Sequence, residues 1–299
     1  MYAQAYFDYD SKKSGGVTMS HLRFGKTPIK STYLIKKADF VACHNPSYIR
    51  KFNMVQEIVD GGSFLLNCPW TVEQLETEIP GQVKKFMYDH KINFYIMNGS
   101  KIGVEVGMGP TRINTILQSA FFNITKIIPE DDAIKFMKDA AQKTYGRKGE
   151  DVVKKNWAAI DAGADPKNLI KVEIPESWKD AKDEGLDFKK AEGSRKDVID
   201  FVNNIQTKVN AQEGNNLKVS DCLPYVDGAT PSGAAAYEKR GIAVNVPKWD
   251  ATKCVECGFC SLVCPHAAIR TVALTDDEVA KAPEGLQTKD VNGVPGYKF

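Results

Sequence analysis

The sequence predicts an α/β protein: a layered domain up to about residue 190, a linking segment, and a small cysteine-bearing module at the C-terminal end. Three observations predict it. Short β-rich runs alternate with helical periodicity from about Lys13 to Ile128. The composition turns charged and poor in aliphatic residues after Pro175. Four of the seven cysteines then crowd into one run: Cys254, Cys257, Cys260 and Cys264, followed by Pro265.

Each element of the first domain has its own signal. Val17-Thr18-Met19 and Asp39 through Cys43 read as strands. Asn45-Pro46 breaks the chain, Ser47 to Val59 is expected to be a helix stopped by Gly61-Gly62, and Ser63 to Asn67 a buried strand, which together make one βαβ unit. Helical stretches are expected around Val72 to Glu78, with Thr71 as N-cap, and from Val83 to Asp89 after Pro80-Gly81. Phe94 to Met97 is the next strand. From Arg112 to Ile124, Ile113, Ile116, Leu117, Ala120 and Phe121 recur at helical spacing, so one face must be buried. Pro129-Glu130-Asp131-Asp132 opens another helix toward Tyr145, its acids placed where the helix dipole favours them. Glu176 to Lys196 reads as a surface linker, with a domain boundary there, and Lys196 to Val209 as a helix. A glycine- and proline-punctuated stretch leads to the cysteine run.

A chain of 299 residues supports roughly two domains. Lys plus Arg number 40 against 38 Asp plus Glu, so the one-sign excess of a nucleic-acid binder is missing and no nucleic-acid partner is expected. No apolar stretch approaches the roughly 18 residues that span a bilayer, and Met1-Tyr2-Ala3-Gln4 lacks a signal-peptide profile, so no membrane partner is expected and a cytoplasmic protein is. Isolated cysteines do not make a disulfide framework.

The spacing C-x2-C-x2-C-x3-C-P is the one that bacterial-type ferredoxins use for cubane iron–sulfur clusters. Zinc sites more often use two paired knuckles separated by a longer spacer. Two-residue gaps turn three thiolates toward one cubane, so Cys254, Cys257 and Cys260 are expected to ligate one 4Fe-4S cluster and Cys264 its neighbour. Val255, Phe259, Leu262 and Val263 interleave the ligands and are expected to shield the cluster. A second run is required and none exists, which makes a fragment, or a subunit split at unusual points, the expected status of the chain. The alternative is an independent single-cluster carrier, with Cys222 or Cys43 as the remote fourth ligand.

Other candidates carry weaker signals. Gly103, Gly107 and Gly109 before Arg112 suit either an anion at a helix entry, such as a coenzyme A phosphate, or tight turns needing positive φ. His44 follows a strand end, where α/β proteins often place functional side chains, although a structural histidine is the commoner outcome. Cys43, Cys68 and Cys222 read as small buried hydrophobes. Asp131-Asp132 and Asp276-Asp277 suit helix starts or solvated faces better than acid–base catalysis. No catalytic residue is assigned.

Taken in order, several segments resemble pyruvate:ferredoxin (flavodoxin) oxidoreductase. They are Tyr9 to Thr18 with Ser20 to Gly25, Ala38 to Pro46, the Glu-Lys-Arg segment Tyr237-Glu238-Lys239-Arg240-Gly241, and Trp249 to Arg270. The resemblance implies a three-layer α/β/α gamma-type domain over residues 1–190, a linker helix and Glu-Lys-Arg segment over 191–246, and a partial ferredoxin-like α+β 4Fe-4S domain over 247–299. It implies CoA-dependent oxidative decarboxylation of pyruvate, with electrons passed to ferredoxin or flavodoxin and thiamine diphosphate and Mg bound outside this chain. A homodimer is implied for the complete enzyme.

Overall fold

Successive residues of a strand face opposite ways, so a strand buried on both sides must be apolar at nearly every position. Phe64, Leu65 and Leu66 meet that demand and lie at the centre of the fold. The computed structural model describes residues 1–10, 16–32, 34–182, 190–238 and 246–299. Ser11 to Gly15 and the Lys239-Arg240-Gly241 of the Glu-Lys-Arg segment lie outside the described residues, as do 183–189 of the expected linker. The chain divides into two compact units, residues 1–242 and 243–299.

In the first unit, β1 (Tyr2–Tyr9) and β2 (Thr18–Gly25) pair as an antiparallel ribbon, and β3 (Ala38–Cys43), β4 (Ile58–Asn67), β5 (Asn93–Met97) and β6 (Ile170–Val172) form a sheet in that order. The pairs β3–β4 and β4–β5 are parallel, and β6 closes the edge antiparallel. The first six α-helices described in this unit are α1 (Leu75–Glu78), α2 (Gly81–Asp89), α3 (Gly99–Glu105), α4 (Asn114–Thr125), α5 (Glu130–Tyr145) and α6 (Glu150–Ala164). Phe64 and Leu66 of β4 point into one core with Leu75, Val83, Met87 and Trp178, while Leu65 points into another with Ile102, Ile116, Leu117 and Ala159. Two cores on opposite faces of one sheet make the three-layer α/β/α sandwich. Outside the second core, Met137, Ala141 and Ile160 fasten α5 to α6.

The expected helix from Ser47 to Val59 is not formed. A 3-10 turn covers Pro46–Arg50, with the Asn45 side chain accepting the Ser47 N–H at 3.1 Å, and β4 already begins at Ile58. Gly61-Gly62 therefore lies inside a strand and does not stop a helix. The reason is space and twist: the β3–β4 register shifts between Ala38 and Phe40, Gly61 takes φ 73°, and a Cβ on Gly62 would stand 2.5 Å from Ile58 Cγ2 and 3.1 Å from Asp39 O. The expected surface linker is also corrected at its start. Trp178 is 2% exposed, packs 6.3 Å from Phe94 and donates its indole N–H to Glu76 Oε2 at 2.6 Å.

The expected helix from Lys196 to Val209 forms as α7 (Lys196–Phe201), a π turn (Val202–Gln206) and α8 (Thr207–Asn210), with a small core of its own made by Ala191, Val198, Phe201, Val202 and Ala234. The second unit holds α9 (Phe259–Val263) and α10 (Asp276–Ala280), the latter opened by a capping box between Thr275 and Glu278. Among the described residues no helix is long and apolar enough to cross a membrane.

Candidate metal centre

In the second unit the backbone from Cys254 to Gly258 forms no regular element. Glu256 and Gly258 flank Cys257 with left-handed φ values of 61° and 69°, and the chain enters α9 at Phe259. Cys254 and Cys264 are half-buried, Cys257 and Cys260 exposed, and all four are free thiols. The Ala268 N–H donates to Cys264 Sγ at 3.3 Å. Backbone N–H groups of Ile269, His266 and Ala268 hold that thiol below the usual cysteine range. Among the described residues no three His, Cys, Asp or Glu side chains converge as a ready-made metal cage. Thiolate ligation supplies its own ordering energy, so convergence is expected to accompany metal uptake. The donor set fits an iron–sulfur cluster: only thiols in the ferredoxin spacing, none tied in a disulfide, and backbone N–H groups directed at a sulfur.

The loop is anchored from far along the chain. Lys289 Nζ donates to the Cys254 carbonyl at 2.8 Å and lies 2.7 Å from Glu256 Oε1, while the Asn292 N–H reaches Glu256 Oε2 at 3.1 Å. Lys289 itself is held by a two-way backbone pairing with Phe299, whose ring lies 6.3 Å from Trp249. These anchors carry no local sequence signal, since nothing in the spacing of Glu256 and Lys289 announces their contact. The expected shielding by Val255, Phe259, Leu262 and Val263 is not seen, for these side chains are 54–81% exposed. A unit of this size has too little interior to bury them.

The remaining candidates resolve on structural grounds. Cys43 and Cys68 are buried, and desolvation pushes their thiols up to about 12 and about 11. Cys222, expected to be buried, is exposed on a 3-10 turn. His44 keeps solvent access, its ring is pushed toward the neutral form by desolvation, and its carbonyl accepts Asn67 Nδ2 at 2.8 Å. Gly107 and Gly109 take φ 74° and 87°, and a Cβ on Gly103, inside α3, would meet Gly109 O at 2.5 Å, so turn geometry accounts for the first two glycines and close backbone approach for the third.

Residues 1–165 match the pyruvate ferredoxin/flavodoxin oxidoreductase family. The chain belongs to this family. Residues 187–243 match a short domain of unknown function, and 247–270 a 4Fe-4S binding domain. The chain is 47% identical over its whole length to pyruvate:ferredoxin oxidoreductase of Moorella thermoacetica. It is 44% identical over 98% of its length to pyruvate-flavodoxin oxidoreductase of Enterobacter agglomerans, and 43% identical over 99% to pyruvate dehydrogenase [NADP(+)] of Cryptosporidium parvum. It spans 25%, 24% and 16% of those relatives. Among solved structures, pyruvate oxidoreductase subunit PORC of Thermotoga maritima aligns with a TM-score of 0.44 at 16% identity, over 57% of this chain and 82% of that one. This oxidoreductase region thus carries the family's 4Fe-4S binding domain at the cysteine run found from spacing.

Proposed function

We propose that this chain is the electron-relay portion of an enzyme that oxidatively decarboxylates pyruvate with coenzyme A to acetyl-CoA and carbon dioxide. The observation that carries the reading is collinearity: three family segments follow one another in order, and the last bears four thiols in the cubane spacing. In the complete protein, thiamine diphosphate with Mg, bound outside this chain, would supply the carbanion chemistry, and 4Fe-4S clusters held by the cysteines would supply one-electron carriers.

This chain's residues hold and orient. Cys254, Cys257 and Cys260 ligate one cluster, Cys264 ligates a second, and the backbone N–H groups around Cys264 favour its thiolate. Residues 1–190 form the gamma-type domain, 191–246 the linker helix and Glu-Lys-Arg segment, and 247–299 part of a ferredoxin-like domain. Ferredoxin or flavodoxin takes the electrons, and the complete enzyme is a cytoplasmic homodimer. The relatives' names divide between ferredoxin, flavodoxin and NADP+, so the acceptor is the finest-grained part of this reading.

The test is made in the complete oxidoreductase, prepared anaerobically. Thiamine-dependent pyruvate oxidation and visible absorbance that bleaches with dithionite are expected. Cys254→Ser and Cys264→Ser should each perturb a different cluster signal in EPR. Loss of the same single signal in both variants overturns the ligand partition, and intact clusters without pyruvate oxidation overturn the activity.

A further inference from the structure

A glutamate in the left-handed region is costly, and such positions persist where surrounding contacts over-determine them. Glu256, at φ 61°, stands inside the first cysteine gap. Its carboxylate is held from both oxygens, by Lys289 Nζ at 2.7 Å and by the Asn292 N–H at 3.1 Å, and the same ammonium grips the Cys254 carbonyl at 2.8 Å. Removing either partner therefore leaves a lone charge beside a ligand loop. The pair is also sheltered. Its side chains are 21% and 13% exposed, against 85% and 46% for Lys253 and Asp250 in the same unit. Shelter matters because counterions screen exposed charges within about 10 Å but reach partly buried ones much less.

A cluster becomes more negative when it takes an electron. A nearby cation favours that step and a nearby anion opposes it. We propose that Lys289 and Glu256 form a charge-balanced positioning pair, which sets the Cys254–Cys257 loop and fixes the reduction potential of the cluster it holds. This inference rests on the reading of the cysteine run as a cluster site. Glu256 secures the strained loop, and Lys289 cancels the carboxylate that this anchoring brings close to the metal.

The experiment is an EPR-monitored redox titration of the complete oxidoreductase, with iron content measured alongside. Cys254→Ser identifies the signal belonging to this loop, and if no signal changes, the cluster reading fails before the inference is reached. Given that signal, Lys289→Met should lower its potential and Glu256→Gln should raise it. The double variant should return toward the parent value, and Lys289→Arg should match the parent. A merely structural clamp predicts no such opposition, so shifts of one sign, or none with iron retained, overturn the proposal. Should Lys289→Met lose its iron, Lys289→Arg decides: retained iron and an unshifted potential support the charge role, and iron loss there too overturns it.

Discussion

The two units use the same residue type to opposite ends. Cys43 and Cys68 sit under the sheet of the α/β/α sandwich, where desolvation pushes their thiols up to about 12 and about 11. The cysteines of the second unit lie on a loop and the short α9, with solvent access, and backbone N–H groups pull Cys264 the other way. A thiol's chemistry thus follows from what surrounds it: low polarity keeps the proton on, and fixed dipoles take it off. The contrast extends to packing. Phe64 is fully buried and stacked 5.7 Å from Phe94, whereas Phe259, beside Cys260, is 62% exposed.

Alkylation breaks or sharpens this comparison most directly. A thiol with a pKa of about 12 is ionised only about one part in ten thousand at pH 8, and Cys43 is sealed from solvent as well, whereas Cys257 and Cys260 are exposed. In the iron-free chain, peptide mapping after brief iodoacetamide treatment should find Cys257 and Cys260 modified at least about a thousandfold faster than Cys43. Comparable rates would break the contrast. Next in size, Phe64→Ala should cost about 3–5 kcal/mol in denaturant unfolding, while Phe259→Ala should change stability by no more than about 0.5 kcal/mol.

Glycines divide the same way. A Cβ on Gly163 would stand 2.3 Å from Ile116 O and 2.8 Å from Ser119 Cβ, so Gly163→Ala should cost about 1–3 kcal/mol by forcing α4 and α6 apart. Gly258 has open space around it and needs only its left-handed φ, so Gly258→Ala should cost about 1–2 kcal/mol through the backbone alone. Equal sensitivity to a further enlargement at the two sites, to Val, would show that space is not what separates them.

The smallest effect is a pH dependence in the first unit. Glu76 accepts from Lys84 Nζ at 2.9 Å and from the Trp178 indole, and these two bonds, in that order, hold its carboxyl below the usual range. A depressed folded pKa stabilises the protein above the unfolded value of about 4.3 and loses that contribution as pH falls through the lower folded value. Glu76→Gln should therefore unfold more easily than the parent at pH 7, with the difference shrinking toward pH 3. The effect is modest because the Glu76 side chain is 58% exposed. A difference that grows on acidification would sink this assignment.

Much of this was legible along the chain. Periodicity marks α4, Pro129 and the first-turn acids mark α5, and Thr275 with Glu278 supports the helix start read at Asp276-Asp277. Other elements needed the fold. Gly61-Gly62 looks like a helix stop in isolation, and the left-handed φ of Gly61 with the crowding of Gly62 against Ile58, Val59 O and Asp39 O explains a glycine pair inside a strand. The unanticipated β6 is three residues long and exists because Phe94, Tyr95 and Ile96 offer it an edge. Helix α6 did leave a signal, in Val153, Trp157 and Ile160, that a search for helical spacing past Tyr145 would have found.

What the sequence determined by itself was the donor set and its order, because two-residue and three-residue gaps constrain where neighbouring thiols can go whatever lies around them. It determined the apolar faces as well, since periodicity is a local property. The tertiary structure decided which cysteines are sealed and which are open. It also brought Lys289 and Asn292 onto Glu256, across more than thirty residues of chain. Burial and long-range ion pairing depend on which segments come to lie against one another, and no local pattern in the chain encodes that choice.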